Sequence, residues 1–106
     1  MNEQIIKELF TILTQRKKTS EKHSYTSYLI KNPELLAKKI GEESSELIID
    51  FLKKNKQGVI KESADLIYHI LVMWVFLDIN PQDIWNELSS RKLKSGIEEK
   101  RNRGKK

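Results

Sequence analysis

The chain has 106 residues, two prolines, four glycines and no cysteine, and twenty lysines and arginines against fifteen acids give a net charge of +5. That length holds one domain, short enough that a partner is expected to finish burying its core, and the lack of cysteine excludes a disulfide framework and thiolate zinc or iron–sulfur sites. The start, MNEQIIKELF, lacks the basic, apolar and small-residue succession of a signal peptide, and the longest mainly apolar run, Leu66 to Ile79, is interrupted by Tyr68, His69 and Asp78 and falls short of the roughly 20 residues a membrane span needs, so a cytoplasmic protein with no membrane partner is expected.

Apolar residues recur at spacings of three and four with no sustained strand-like alternation, which predicts an all-helical chain. A first helix is expected over residues 3–16, where Ile5, Ile6, Leu9, Phe10, Ile12 and Leu13 form a stripe; the polar stretch 16–24 then breaks the pattern and reads as a loop. Residues 24–31, SYTSYLIK, form a short helix or ordered connector. Asn32-Pro33-Glu34 is a helix start, with Asn as N-cap, Pro in the first position and an acid in the first turn. The helix it opens runs to about Lys54, NKQG (55–58) is the turn, and another long helix covers roughly Val59 to Leu77. Asn80-Pro81-Gln82-Asp83 repeats the start signal and opens a last helix.

The basicity is concentrated at the end. Residues 91–106 hold eight basic and two acidic side chains, leaving twelve basic and thirteen acidic groups in the preceding ninety residues. A single helical domain over 1–95 followed by a basic tail over 96–106 is the expected organisation, with the tail a solvated end and attraction to phosphates the minor alternative. From Ile70 to Leu77 the sequence ILVMWVFL is apolar on every side of a helix. Such a helix must be covered all round, which predicts a bundle completed by a second copy, most simply a dimer.

At ~100° per residue, Leu36, Ile40, Leu47 and Phe51 define the core stripe of the Pro33 helix, and the stripe position between Ile40 and Leu47 is filled by Glu43. Glu46 and Asp50 lie along one margin of the stripe, with Glu42 further round. The next helix repeats the arrangement: Glu62, Asp65 and His69 share a face at i, i+3 and i+7. The tight turn makes the two helices antiparallel, so Glu43 and Glu46 can face Glu62 and Asp65. A charged carboxylate in an apolar stripe costs several kcal/mol unless compensated. Either motif alone is common on solvated helix faces that pair with lysine. Together, beside apolar stripes on consecutive helices, they point to a hard divalent cation, Mg²⁺ or Mn²⁺, and through it to phosphate chemistry.

Ser24-Tyr25-Thr26, then Lys39-Ile40-Gly41-Glu42-Glu43-Ser44-Ser45-Glu46, then Glu62-Ser63-Ala64-Asp65-Leu66-Ile67-Tyr68-His69 resemble the phosphoribosyl-ATP pyrophosphatases of histidine biosynthesis, within the all-α, MazG-like nucleotide pyrophosphohydrolase superfamily. The resemblance covers about residues 24–93. It implies hydrolysis of the α–β phosphoanhydride of phosphoribosyl-ATP, giving phosphoribosyl-AMP and pyrophosphate. It further implies Mg²⁺ ligands at Glu43, Glu46, Glu62 and Asp65, catalytic roles for Glu43 and for Glu42, as an acid that either supports the metal ligands from behind or orients the attacking water, and substrate contacts from Lys39, Tyr25, Thr26 and His69. Where many relatives carry alanine, this chain has Ser44 and Ser63. The cyclohydrolase domain to which many relatives are fused is not encoded here, so a stand-alone enzyme is expected.

The remaining polar and aromatic residues have plainer readings. His69 is read first as a satisfied core histidine and His23 as a surface residue. Trp74 and Trp85 are read as core or dimer contacts, with base stacking the lesser alternative. Asp50 either extends the acidic cluster or pairs with Lys53 or Lys54. Lys17, Lys18 and Lys22 belong to a solvated loop or help draw in a polyanion. Arg91 and Lys92 suit the negative pole of the last helix or reach a phosphate across a dimer. Two rival functions use other features: a MazG-like hydrolase of non-canonical nucleoside triphosphates through the same carboxylates, and a nucleic-acid-binding protein through the basic tail.

Overall fold

The structure, a computed structural model, describes residues 2–19 and 24–92. Lys22, His23 and the tail, with its boundary at 95/96, lie outside the described residues. Five helices follow one another: α1 (Asn2–Arg16), α2 (Tyr25–Lys31), α3 (Pro33–Leu52), α4 (Lys56–Leu77) and α5 (Pro81–Lys92). Among the described residues there is no strand, so the fold is an all-α bundle.

Local chemistry sets the helix ends. Ser24 is the N-cap of α2, its hydroxyl accepting from Ser27 N at 3.2 Å. Asn32 differs from expectation: it makes no side-chain cap to α3, because its Nδ2 instead donates to Tyr28 O at 2.7 Å and closes α2. Proline at the first position of α3 removes one of the free N–H groups of that end, and the Asn32 carbonyl accepts from Leu35 N at 3.0 Å. The segment 55–58 is likewise not a free turn. Asn55 caps α4 by accepting from Gly58 N at 3.2 Å, so the helix begins three residues earlier than the apolar periodicity indicates. The reversal falls instead on Lys53 and Lys54, the latter left-handed at φ 58°. Gly58 belongs to this corner, because a β-carbon there would meet the Asp50 carboxylate at 2.5 Å.

Helices α3 and α4 form the main antiparallel pair, and α1 and α2 pack across α4. Leu13, Leu29, Ile30, Leu36, Leu71, Val72 and Val75 make the buried core, each worth about 1.5–3 kcal/mol of apolar transfer. Lys17 ties the end of α1 to the end of α4, donating to Val75 O at 3.3 Å and to Asp78 Oδ1 at 3.1 Å. It is thus a structural contact. Trp74 and Trp85 meet edge to face with centroids 6.2 Å apart, joining α4 to α5, and Arg91 Nε reaches Glu87 Oε2 at 3.4 Å.

The apolar stripes do not end where the core ends. The run Ile70–Leu77 is covered within the chain over most of its circumference, and only Phe76 and Leu77 at its end are exposed. The large uncovered apolar area lies at the other end of the α3–α4 pair. Phe51, expected in the core stripe, is 68% exposed, Leu52 is 72% exposed, and Ile48, Ile49 and Ile60 are also open. Neither α1, α2 nor α5 reaches this far along the hairpin to cover it.

Truncation should separate these environments. Leu29→Ala, at a fully buried position, is expected to cost about 2–5 kcal/mol, and Ser24→Ala about 0.5–2 kcal/mol through loss of the cap. Urea unfolding midpoints at constant slope read both.

Candidate active site

The α3–α4 hairpin carries the acids into one groove. From α3 come Glu42, Glu43, Glu46 and Asp50; from α4 come Glu62, Asp65 and His69. One carboxylate oxygen from each of Glu43, Glu62 and Asp65 lies within 4.8 Å of the other two. Glu43 and Glu62 are half-buried and Asp65 is exposed at the mouth. Among the described residues no lysine or arginine forms an ion pair with any of these three or with Glu46.

Two atoms show that the groove is polar without being satisfied. Glu43 Oε2 and Glu62 Oε2 are buried and, among the described residues, accept no hydrogen bond. A buried acceptor left unmet costs about 1–3 kcal/mol, more when charged. The electrostatics agree. Glu46 is raised above the usual carboxylate range, chiefly by the charge of Glu62 beside it and then by the proximity of that carboxyl. Glu62 is likewise raised, first by the proximity of the Glu43 carboxyl and then by desolvation. Like charges a few ångströms apart resist full ionisation.

Glu46 is not one of the three groups whose oxygens converge, but it adjoins Glu62 and enlarges the negative field. Glu42 lies on the exposed side of α3, where Lys39 approaches it at 3.8 Å. Lys39 and Glu42 therefore form an i, i+3 pair on the groove's flank. Asp50 takes a third course beyond the two expected. Its Oδ1 receives Asn55 Nδ2 at 3.4 Å at the hairpin corner, while its charge still bears on Glu46.

A second polar group closes one side of the groove. His69, only 6% exposed, has both ring nitrogens engaged: Nδ1 with Asp65 O at 2.7 Å and Nε2 with the Tyr25 hydroxyl at 3.1 Å. Thr26 is buried, its hydroxyl 2.7 Å from that of Tyr68, which holds α2 against α4. The Tyr25 and Tyr68 rings stack at 6.2 Å and 11°. Burial, then Tyr68, then the charges of Glu43 and Asp65 raise the Tyr25 phenol above its ordinary value, which keeps it protonated. Tyr68 carried no assigned role in the sequence, although it stands in the Asp65-Leu66-Ile67-Tyr68-His69 element; the signal was its place one turn beyond an acid on a helix with an aromatic in the connector.

The donor set is all oxygen, convergent, half-buried and without a protein cation. It fits a hard divalent ion and offers no nitrogen or sulfur for a softer one. Fold and groove together define a helical-bundle protein built around facing carboxylates on an antiparallel helix pair. Comparison with known sequences narrows that class. The family model of phosphoribosyl-ATP pyrophosphohydrolase matches residues 6–92. A Phosphoribosyl-ATP pyrophosphatase of Paramagnetospirillum magneticum is 40% identical over 103 residues, covering 96% of this chain and 94% of that protein. Proteins of the same name from Sulfolobus acidocaldarius, at 41% over 92 residues (86% of this chain and 97% of that protein), and Clostridium novyi, at 38% over 96 residues (90% and 87%), are similar in extent. The chain belongs to the phosphoribosyl-ATP pyrophosphohydrolase family.

The raised carboxyls make a signed prediction. A folded-state pKa above the unfolded value means the folded chain holds more protons across the window between the two, so stability falls as pH rises through the raised values. In chelator, Glu62→Gln is expected to match wild type near and below the ordinary glutamate range and to become the more stable protein as pH rises above it. Thermal melts across that range check this; a constant offset at all pH values would refute it.

Proposed function

We infer that this protein is a Mg²⁺-dependent hydrolase of the α–β phosphoanhydride of phosphoribosyl-ATP, releasing phosphoribosyl-AMP and pyrophosphate in histidine biosynthesis. Family membership supports the substrate, and one observation of the site supports the chemistry: the convergent oxygens of Glu43, Glu62 and Asp65, two of whose carboxylates present a buried oxygen that no group among the described residues meets. Glu43, Glu62 and Asp65, with Glu46 beside them, would hold the cation. When bound, it neutralises the carboxylates and the phosphate oxygens and polarises the anhydride phosphorus.

The protein's own groups supply the rest. Glu43 and Glu42 are neighbours on α3, one facing the groove and the other on its flank, a disposition suited to holding a ligand and orienting the attacking water. That water must give up a proton as the phosphorus–oxygen bond to pyrophosphate breaks, and a carboxylate of this cluster is the available base. Lys39, beside Glu42, offers a positive charge to the triphosphate. The half-buried walls keep bulk water from competing for these charges.

Because the curated relatives bear the name of the histidine-pathway enzyme, the discriminating assay compares phosphoribosyl-ATP with a panel of nucleoside triphosphates. Phosphoribosyl-ATP is expected to be the preferred substrate; preference for free triphosphates would instead make this a MazG-like house-cleaning enzyme. Glu43→Gln or Asp65→Asn should lower kcat/KM by orders of magnitude, chelation should abolish turnover, and deletion of residues 96–106 should leave it largely intact. Loss of activity with the tail, accompanied by salt-sensitive nucleic-acid binding, would favour the other class of function.

The exposed apolar end of the α3–α4 hairpin is further proposed to be covered by a second copy of the chain. A contiguous apolar patch on a small protein marks an association surface. Sedimentation at micromolar concentration is expected to show a dimer, and the double substitution Phe51→Glu, Leu52→Glu to release monomers.

A further inference from the structure

The polar group beside the carboxylates has a defined direction of proton donation. The Nδ1 of His69 lies 2.7 Å from the main-chain oxygen of Asp65, and a peptide oxygen can only accept, so Nδ1 carries the hydrogen. In the neutral imidazole Nε2 is then bare and can only accept. Its partner at 3.1 Å is the Tyr25 hydroxyl, so the phenolic hydrogen is spent on His69. What Tyr25 has left is its oxygen's acceptor capacity. A tyrosine held this way cannot donate to a phosphate oxygen. It can receive a hydrogen.

The position of that oxygen says from where. Glu62, Asp65 and His69 occupy one face of α4, and His69 binds the Asp65 carbonyl through one nitrogen and Tyr25 through the other. The hydroxyl is thus one imidazole away from the backbone of a groove carboxylate. Its ring is fixed against Tyr68, which is itself bonded to Thr26, yet Tyr25 stays 47% exposed. No carboxylate in the groove has a hydrogen to give once a cation is bound there. A small hard dication, however, keeps several waters when it is held by few carboxylates, and each of those waters is a donor seeking an acceptor.

We propose that Tyr25 is an outer-shell acceptor that orients water in the hydration shell of the cation held by Glu43, Glu62 and Asp65, and that His69 is a positioning residue that turns the Tyr25 oxygen toward it. The inference rests on the cation reading of the groove given above and deepens it: α2 contributes to the site through a hydrogen-bond acceptor, with no ligand to the ion.

Binding of Mn²⁺ to the chelator-stripped full chain, followed by electron paramagnetic resonance and repeated with Mg²⁺ by calorimetry, tests this without substrate. Partners of this kind change metal affinity about 10–100-fold when removed. Tyr25→Phe keeps the ring and its stacking and deletes only the oxygen, and it is expected to weaken Mn²⁺ binding about tenfold with the melting temperature of the stripped protein little changed. His69→Gln, whose side-chain oxygen can take the place of Nε2, should bind nearly as wild type, whereas His69→Ala should match Tyr25→Phe. The double variant Tyr25→Phe, His69→Ala should be no weaker than either single one. Wild-type affinity in Tyr25→Phe overturns the proposal while leaving the cation site standing, as does an additive loss in the double variant. Absence of Mn²⁺ binding by the wild type overturns both.

Discussion

Mutual repulsion of carboxylates in a half-buried groove is the constraint on which this molecule turns. Glu43 and Glu62 face each other from antiparallel helices with Asp65 beside them, two of their oxygens hidden from water and unmet among the described residues. The core close by has to be strong enough to hold that arrangement, because carboxylates alone would push α3 and α4 apart. Leu36 on α3 and Leu71, Val72 and Val75 on α4 supply the opposing attraction, and the capped corner at Asn55 keeps the two helices in register. Among the described residues nothing neutralises this groove, which is the physical ground on which a cation is proposed to complete it.

The connector α2 has a double task. Its apolar side, through Leu29 and Ile30, belongs to the core, while its first turn presents Tyr25 and Thr26 to α4. Ser27 Oγ further ties this helix to Thr19 O at the end of the preceding segment. A seven-residue helix is not stable by itself, so its placement depends on these side-chain bonds as much as on burial. The geometry beside the groove and the placement of the connector are linked through a few hydroxyls.

The exposed apolar surface has a similar basis in the geometry of the hairpin. Phe51, Leu52 and Ile60 are apolar because they continue the stripes that pack the helices elsewhere, yet among the described residues no third helix covers them. The Ile70–Leu77 run, which by pattern alone looked the least coverable, is in fact largely enclosed by α1, α2 and α3. The open surface is therefore displaced along the hairpin from where periodicity put it.

The sequence by itself determined the all-helical class and the order of the long helices, and placed Glu43 and Glu46 on a helix facing Glu62 and Asp65, since each follows from local spacing: i, i+3 and i+4 relations, proline starts and a short turn between two stripes; it left residues 24–31 open between helix and connector. Family resemblance in the same segments agreed with it. Tertiary structure alone decided which stripe residues reach the core, that Asn32 closes α2 without capping α3, that Asp50 turns to Asn55, and that Lys17 is held by Asp78. It alone brought Tyr25 to His69 across forty-four positions of chain. Periodicity reports which way a side chain points from its own helix, but not what another helix, packed at its own angle and of its own length, will place opposite it.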